Sequence, residues 1–208
     1  MIITKIEPFP CPGSRRGKST KYWIYLDEEP AFCLYDGDLR RYRLVLEGEV
    51  SWDVYCRILE ETVIRRARQK TMALLKRSDK TECELRSRLK MDGYPKPAID
   101  AAIEYVKGYR YIDDEKYVRN YIGVMSRTKS AVQIKSELRR KGISQELIES
   151  CTYTNIDEAE AIQKAIRRKT PDITRLSYTE KQKVAAYLFR KGFKQETIRK
   201  FVHLDADD

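Results

Sequence analysis

Histidine is nearly absent from this sequence, with His203 alone among 208 residues, and the five cysteines Cys11, Cys33, Cys56, Cys83 and Cys151 stand at least 22 positions apart. An odd, scattered set of this kind excludes a disulfide framework, and no Cys or His pair has the close spacing of a zinc site, so no metal is expected. No nucleophile stands near a histidine and no glycine-rich cofactor loop is present, so neither an enzyme nor a cofactor is expected. Long apolar runs are missing too. Lys5 and Glu7 interrupt the opening Met1 to Pro12, which fails the tests for a signal peptide and for a membrane span. The expectation is a cytosolic protein with no membrane partner.

Basic residues are plentiful. Lys and Arg total 42 against 32 Asp and Glu, a surplus of +10. Residues 1–50 are balanced, with 8 basic and 8 acidic side chains, so the remainder of the chain carries the whole excess. Such a surface attracts polyanions, nucleic acid above all, or the acidic face of a protein partner.

One helix-ending signature occurs three times in this basic part, at Gly93, Gly142 and Gly192, with steps of 49 and 50 residues. Aligned on those glycines, apolar residues coincide: Leu85, Ile134 and Val184; Leu89, Leu138 and Leu188; Tyr94, Ile143 and Phe193; Ile99, Ile148 and Ile198. A glycine in the left-handed conformation ends a helix, and the following residue folds back onto the last turn. Helix starts are marked by capping-box pairs, Thr81 with Glu84, Ser130 with Gln133, and Thr179 with Gln182. Repetition at this period predicts stacked helical units, because one such unit alone buries too little apolar surface.

The predicted fold is mainly α: a tandem array of three three-helix repeats, elongated and curved, behind a small β-containing segment. The expected boundaries are 1–50 for a hairpin or meander from residues 2–6 and 22–35 with a short helix over Asp36 to Arg43, then 51–110, 111–152 and 153–208 for the repeats. Ser51 is the expected N-cap of a long helix through Arg77. Helices follow at about 81–91 and 96–108, from Asp113 or Asp114, from Ser130 and Gln145, and then from Asp157, with Pro171 as a break and a frayed Asp205 to Asp208.

Four features invite a functional reading. Gly13-Ser14-Arg15-Arg16-Gly17-Lys18-Ser19 hints at a phosphate-binding loop, but its glycines are too close and it precedes a strand, so a solvated basic loop is expected. Asp113 and Asp114 have the place of a helix N-cap, which explains them without catalysis. Tyrosines 94, 105, 109, 111, 117 and 121 could stack on unpaired bases, yet the helical spacing of Tyr117 and Tyr121 favours packing between units, and the group is expected to be core. Arg86 with Lys90, and Lys135 with Arg139, hold matching positions before their glycines and share a helix face beside the apolar one; in the third repeat Ala185 and Phe189 replace them. Arg140, Lys141, Arg190 and Lys191 add charge at the turns. Cations near helix C-termini are favoured by the macrodipole without any ligand, but a whole stripe of them favours partner contact.

These residues resemble the RecX recombination regulators, which are built from tandem three-helix repeats. The likeness lies in Leu74-Leu75-Lys76-Arg77-Ser78 with Glu84-Leu85-Arg86, Leu89 and Gly93-Tyr94; in Tyr111-Ile112-Asp113-Asp114 with Tyr117-Val118; and in Lys129-Ser130 with Ile134, Glu137-Leu138 and Lys141-Gly142-Ile143-Ser144. The matching motifs cover about residues 72–150, and the third unit and the N-terminal strands match more loosely. One departure stands out: Gly108 is followed by Tyr109 and Arg110 before Tyr111-Ile112, where the family more often runs glycine, tyrosine, isoleucine directly. The resemblance implies a non-catalytic monomer that lies along the groove of the RecA filament on single-stranded DNA and limits its growth and ATP hydrolysis. Units of about 25 Å would make a rod up to about 75 Å long, able to touch several protomers. The competing expectation is a module that binds single- or double-stranded DNA alone, without sequence preference. Arg86, Lys90, Lys135, Arg139, Arg140 and Lys141 are the expected main contacts in either case, with Arg190 and Lys191 beside them.

Overall fold

The computed structural model describes residues 1–9, 20–152 and 156–203. The loop at Gly13 to Ser19, Cys11 and the terminal aspartates lie outside the described residues. Three strands, β1 (Ile3–Pro8), β2 (Lys21–Leu26) and β3 (Glu29–Tyr35), form an antiparallel sheet in that order. The turn between β2 and β3 is the pair Asp27 and Glu28, both at positive φ (48° and 70°), which matches the twist of the flanking strands. Pro30 falls where the register of β2 and β3 shifts, so its missing N–H interrupts a bulge instead of a regular ladder. Ile24, Leu26, Phe32 and Leu34 are buried against the helices that follow.

α1 (Asp36–Tyr42) ends in Arg43 at φ 52°. Ser51 caps α2 (Trp52–Arg57), its hydroxyl accepting from the Val54 N–H, and the chain continues through a π-helical segment, Ile58–Ile64, into α3 (Arg65–Leu75). The long helix expected from Ser51 is therefore present, but its middle is widened. That widening buries Ile58, Thr62 and Val63 and lets the Thr62 hydroxyl bond Tyr42 at 2.8 Å. Asp38, buried, receives Arg66 in a two-pronged ion pair and ties α1 to α3. α4 (Glu82–Met91) and α5 (Lys96–Gly108) complete the first compact unit, Met1–Ile112.

The second unit, Asp113–Asp208, holds α6 (Asp114–Met125), α7 (Ala131–Arg140), α8 (Gln145–Cys151), α9 (Ala159–Arg167), α10 (Tyr178–Arg190) and α11 (Gln195–Val202). Asp113 is the N-cap of α6, its carboxylate accepting from the Lys116 N–H at 2.9 Å. Each group of three helices closes its own core: Val118, Ile134, Leu138, Ile143 and Ile148 in one, and Ala161, Ile162, Leu188, Phe193 and Ile198 among those in the other.

The three glycines behave alike. Gly93, Gly142 and Gly192 have φ of 82°, 78° and 81°. The N–H groups of Tyr94, Ile143 and Phe193 reach back to the carbonyls of Leu89, Leu138 and Leu188 at 3.1, 3.1 and 3.2 Å, which is the hydrogen bond that closes a left-handed helix end. One helix start differs from expectation. The cap of α10 is Ser177, paired in a capping box with Glu180, and not Thr179 with Gln182. Two overlapping candidates share the required spacing, and the earlier one adds a half-turn of helix, leaving Thr179 inside it.

Candidate partner-binding surface

The eight basic residues singled out by the sequence have different surroundings, and the differences follow from where each helix places them. Arg86 projects from α4 toward α5, donating to Glu82 at 2.7 Å and to Asp100, while Lys107 of α5 bonds the other Glu82 oxygen at 2.6 Å. Burial pushes the Glu82 carboxyl up, but its bonds to Lys107 and Arg86 outweigh this and hold it below the ordinary range. Arg86 is thus an internal tie of the first repeat. Lys90, one turn later, is exposed, carries no ion pair among the described residues, and borders a groove with Trp23, Ser87, Tyr94, Lys96 and Ile99.

In the second unit, Arg139 donates to the Gln145 side-chain oxygen at 2.7 Å from an exposed position, and Arg140 lies 3.9 Å from Glu137 with most of its side chain in solvent. Lys135 faces a groove shared with Glu158, Lys194, Lys200 and Phe201. Lys141 and Lys191 sit over aromatic rings, 5.5 Å from the Tyr117 centroid and 5.8 Å from that of Tyr187. Such contacts hold a cation without neutralising it. Arg190 is exposed and has no ion pair among the described residues, and Phe189 beside it exposes two thirds of its surface (66%).

Glu137 anchors this face. It accepts from Lys129 at 2.8 and 2.6 Å and from the Tyr121 hydroxyl. Burial and the bond to Glu137 together push Tyr121 up to about 12. Glu137 is thus held mainly by Lys129 and Tyr121, with Arg140 only at the edge of its reach at 3.9 Å.

The tyrosine expectation needs correction. Tyr94, Tyr117 and Tyr121 pack against cores, but Tyr105, Tyr109 and Tyr111 are exposed by 36%, 61% and 52%. Here Tyr109 and Arg110 extend the helix end: Arg110 takes φ 55°, and the Tyr111 N–H reaches the Val106 carbonyl at 2.9 Å. The rings are thereby turned outward. A further basic face went unread in the sequence, that of Arg65, Arg68 and Met72 on α3 with Lys76 at its C-cap, which line one groove with Tyr105. Their spacing of three, four and four places them on one helix face and was the signal available.

Among the described residues, no group of His, Cys, Asp or Glu is placed to hold a metal ion, and no helix is long and apolar enough to cross a membrane. Among the described residues no disulfide joins Cys33, Cys56, Cys83 or Cys151.

Comparison with known proteins places this architecture. Family models for the first, second and third three-helix domains of RecX match residues 67–105, 113–151 and 156–202. A regulatory protein RecX of Caldanaerobacter subterraneus is 30% identical over 98% of this chain and 100% of its own length. One from Clostridium beijerinckii is 28% identical over 89% of this chain and 91% of its own. A crystal structure of regulatory protein RecX superposes with a TM-score of 0.60 at 26% identity, covering 97% of this chain and 98% of that one. The structure of RecX from Lactobacillus salivarius, 23% identical with a TM-score of 0.58 over 70% of this chain and 98% of its own, shares the fold. With three domain models in order and a relative aligned from end to end, this chain belongs to the RecX family of regulatory proteins.

Proposed function

We propose that this protein is a non-catalytic regulator of the RecA recombinase in homologous recombination and DNA repair. It binds the RecA filament on single-stranded DNA in the cytoplasm, acts as a monomer, bridges neighbouring protomers along the groove, and limits filament growth and ATP hydrolysis. The observation that carries the reading is the end-to-end match to proteins named as RecX regulators. Physical support comes from the distribution of charge: Lys90, Lys135, Arg139, Arg140 and Arg190 keep their cationic heads available on repeated positions, whereas Arg86 is engaged within its own repeat. Several weak patches on a repeating polymer gain avidity through effective concentration. That allows modest single contacts to hold a filament segment.

The test is ATP hydrolysis by RecA filaments on single-stranded DNA with this protein at stoichiometric ratio. Hydrolysis is expected to fall, and a quadruple variant, Lys90→Glu, Lys135→Glu, Arg139→Glu and Arg140→Glu, is expected to lose the inhibition while keeping its helical circular dichroism. Excess duplex competitor leaves the inhibition intact, whereas a protein acting only by coating DNA would be titrated away. Unchanged hydrolysis with the unmodified protein would overturn the reading.

A further inference from the structure

We infer that the exposed tyrosine ladder at the end of α5, together with the basic face of α3, forms a contact site for single-stranded nucleic acid. Three rings follow one another at the surface. Tyr105 and Tyr109 lie 5.0 Å apart between centroids, and Tyr109 stacks on Tyr111 at 5.7 Å with planes only 18° apart. The Arg68 guanidinium stands over Tyr105 at 5.2 Å, so the ladder leads into the groove lined by Arg65, Arg68, Gln69, Met72 and Lys76. Arg65, Arg68, Lys76 and Arg110 have no ion pair among the described residues, and the groove holds one carboxylate, Glu60.

Ring faces left in water beside unneutralised cations match one ligand chemistry above others. An unpaired base offers a π-face to each tyrosine, and its phosphate offers charge to the arginines and the lysine. In a duplex the base faces are already stacked on one another, which leaves the rings nothing to cover. An acidic peptide would satisfy the cations but not the ladder. The ladder also owes its length to Tyr109 and Arg110: Arg110 adopts the left-handed conformation that carries the chain past the helix end, and this sets Tyr109 and Tyr111 side by side. A strained turn that exposes two rings is costly for the fold alone.

The site goes beyond the filament reading and stands without it, because naked strand is the ligand. Fluorescence anisotropy of labelled oligo-dT, oligo-rU and a duplex of equal length, titrated with the full chain, tests it, and the two single-strand arms show whether deoxyribose or ribose is preferred. Single strands are expected to bind more tightly than duplex. Replacing the two most exposed rings, Tyr109→Ala with Tyr111→Ala, should weaken single-strand binding by about tenfold per ring, while Tyr109→Phe with Tyr111→Phe retains it. The pair Arg65→Gln and Arg68→Gln should lower the slope of log affinity against log salt by about 0.7 per cation removed. Equal affinity of the alanine pair and the unmodified protein, equal loss in the phenylalanine pair, or preference for duplex would each overturn the proposal. Inhibition of filament hydrolysis is measured separately on the alanine pair. If inhibition persists while strand binding is lost, the two sites are distinct, and if the proposal fails the filament reading still stands on its own assay.

Discussion

Arg110, in the turn that closes α5, holds its position at a backbone cost, since a side chain in the left-handed region costs about 1–2 kcal/mol relative to the right-handed one. Arg110→Gly removes that strain against a larger chain entropy in the unfolded state. A net gain of about 0.5–1 kcal/mol in urea unfolding is expected. Two tyrosines make a second expectation. Burial pushes Tyr94 up to about 12, and burial with the Glu137 bond does the same for Tyr121, from an ordinary 10.0. Because the folded protein holds these protons more firmly than the unfolded chain, the stability they contribute is complete below pH 10 and is lost as pH rises toward about 12. Tyrosinate absorbance should therefore show a late-titrating group in the folded protein that merges with the rest in denaturant. Tyr121→Phe should remove part of that late signal and spare the remainder. Spacing in the sequence read Tyr94, Tyr117 and Tyr121 correctly as packed but not Tyr105, Tyr109 and Tyr111 as exposed, because Tyr94 and Tyr109 differ in neighbours far away in the chain.

At the scale of single elements, caps and stops were the legible part. Thr81, Ser130, Ser144 and Asp113 each accept from the backbone N–H three residues on, and the sequence marks three of those starts by residue type and position. α10 was misplaced only because two equally spaced pairs overlap. Ser177→Ala is accordingly expected to cost about 1 kcal/mol, and Thr179→Ala, inside the helix, close to nothing, by thermal unfolding of each variant. The π-helical turn in Ile58–Ile64 has no local signature, since Thr62 is placed by Tyr42 twenty residues earlier. The glycine turns hold more than the sequence announced. A methyl group on Gly93 would stand 2.6 Å from the Cys33 sulfur and 2.7 Å from Phe9, and one on Gly192 would stand 2.9 Å from Val132 Cβ. Gly93→Ala and Gly192→Ala should each cost about 1–2 kcal/mol from conformation and more again because a packed neighbour must also give way. Chemical denaturation of the two variants measures the cost.

Across the whole molecule, the mainly helical, three-repeat character and the small leading sheet were legible because helix ends are written locally and the repetition multiplies the signal. What sits against each turn was not, being decided by residues 71 and 61 positions away, as with Lys21 donating to the Asp92 carbonyl and Ser130 to that of Lys191. The cores of Met1–Ile112 and of the residues from Asp113 onward are separate sets of side chains. Fragments 1–112 and 113–208 are therefore each expected to give a cooperative thermal transition when expressed alone. A fragment that is unfolded by circular dichroism would contradict this.

Ser130 is fully buried and its single hydroxyl serves two masters: it accepts from the Gln133 N–H to start α7 and donates to the Lys191 carbonyl that finishes α10. Glu158, reaching in from the residues just before α9, accepts from the Ala131 N–H beside it. The opening turn of the middle helix in one repeat is thus wired to the closing turn of the middle helix in the next. Fraying at either end exposes an unbonded polar group at the other, so hydrogen exchange in α7 and α10 should rise and fall in step, and the last two repeats should melt as one block, not as beads on a string.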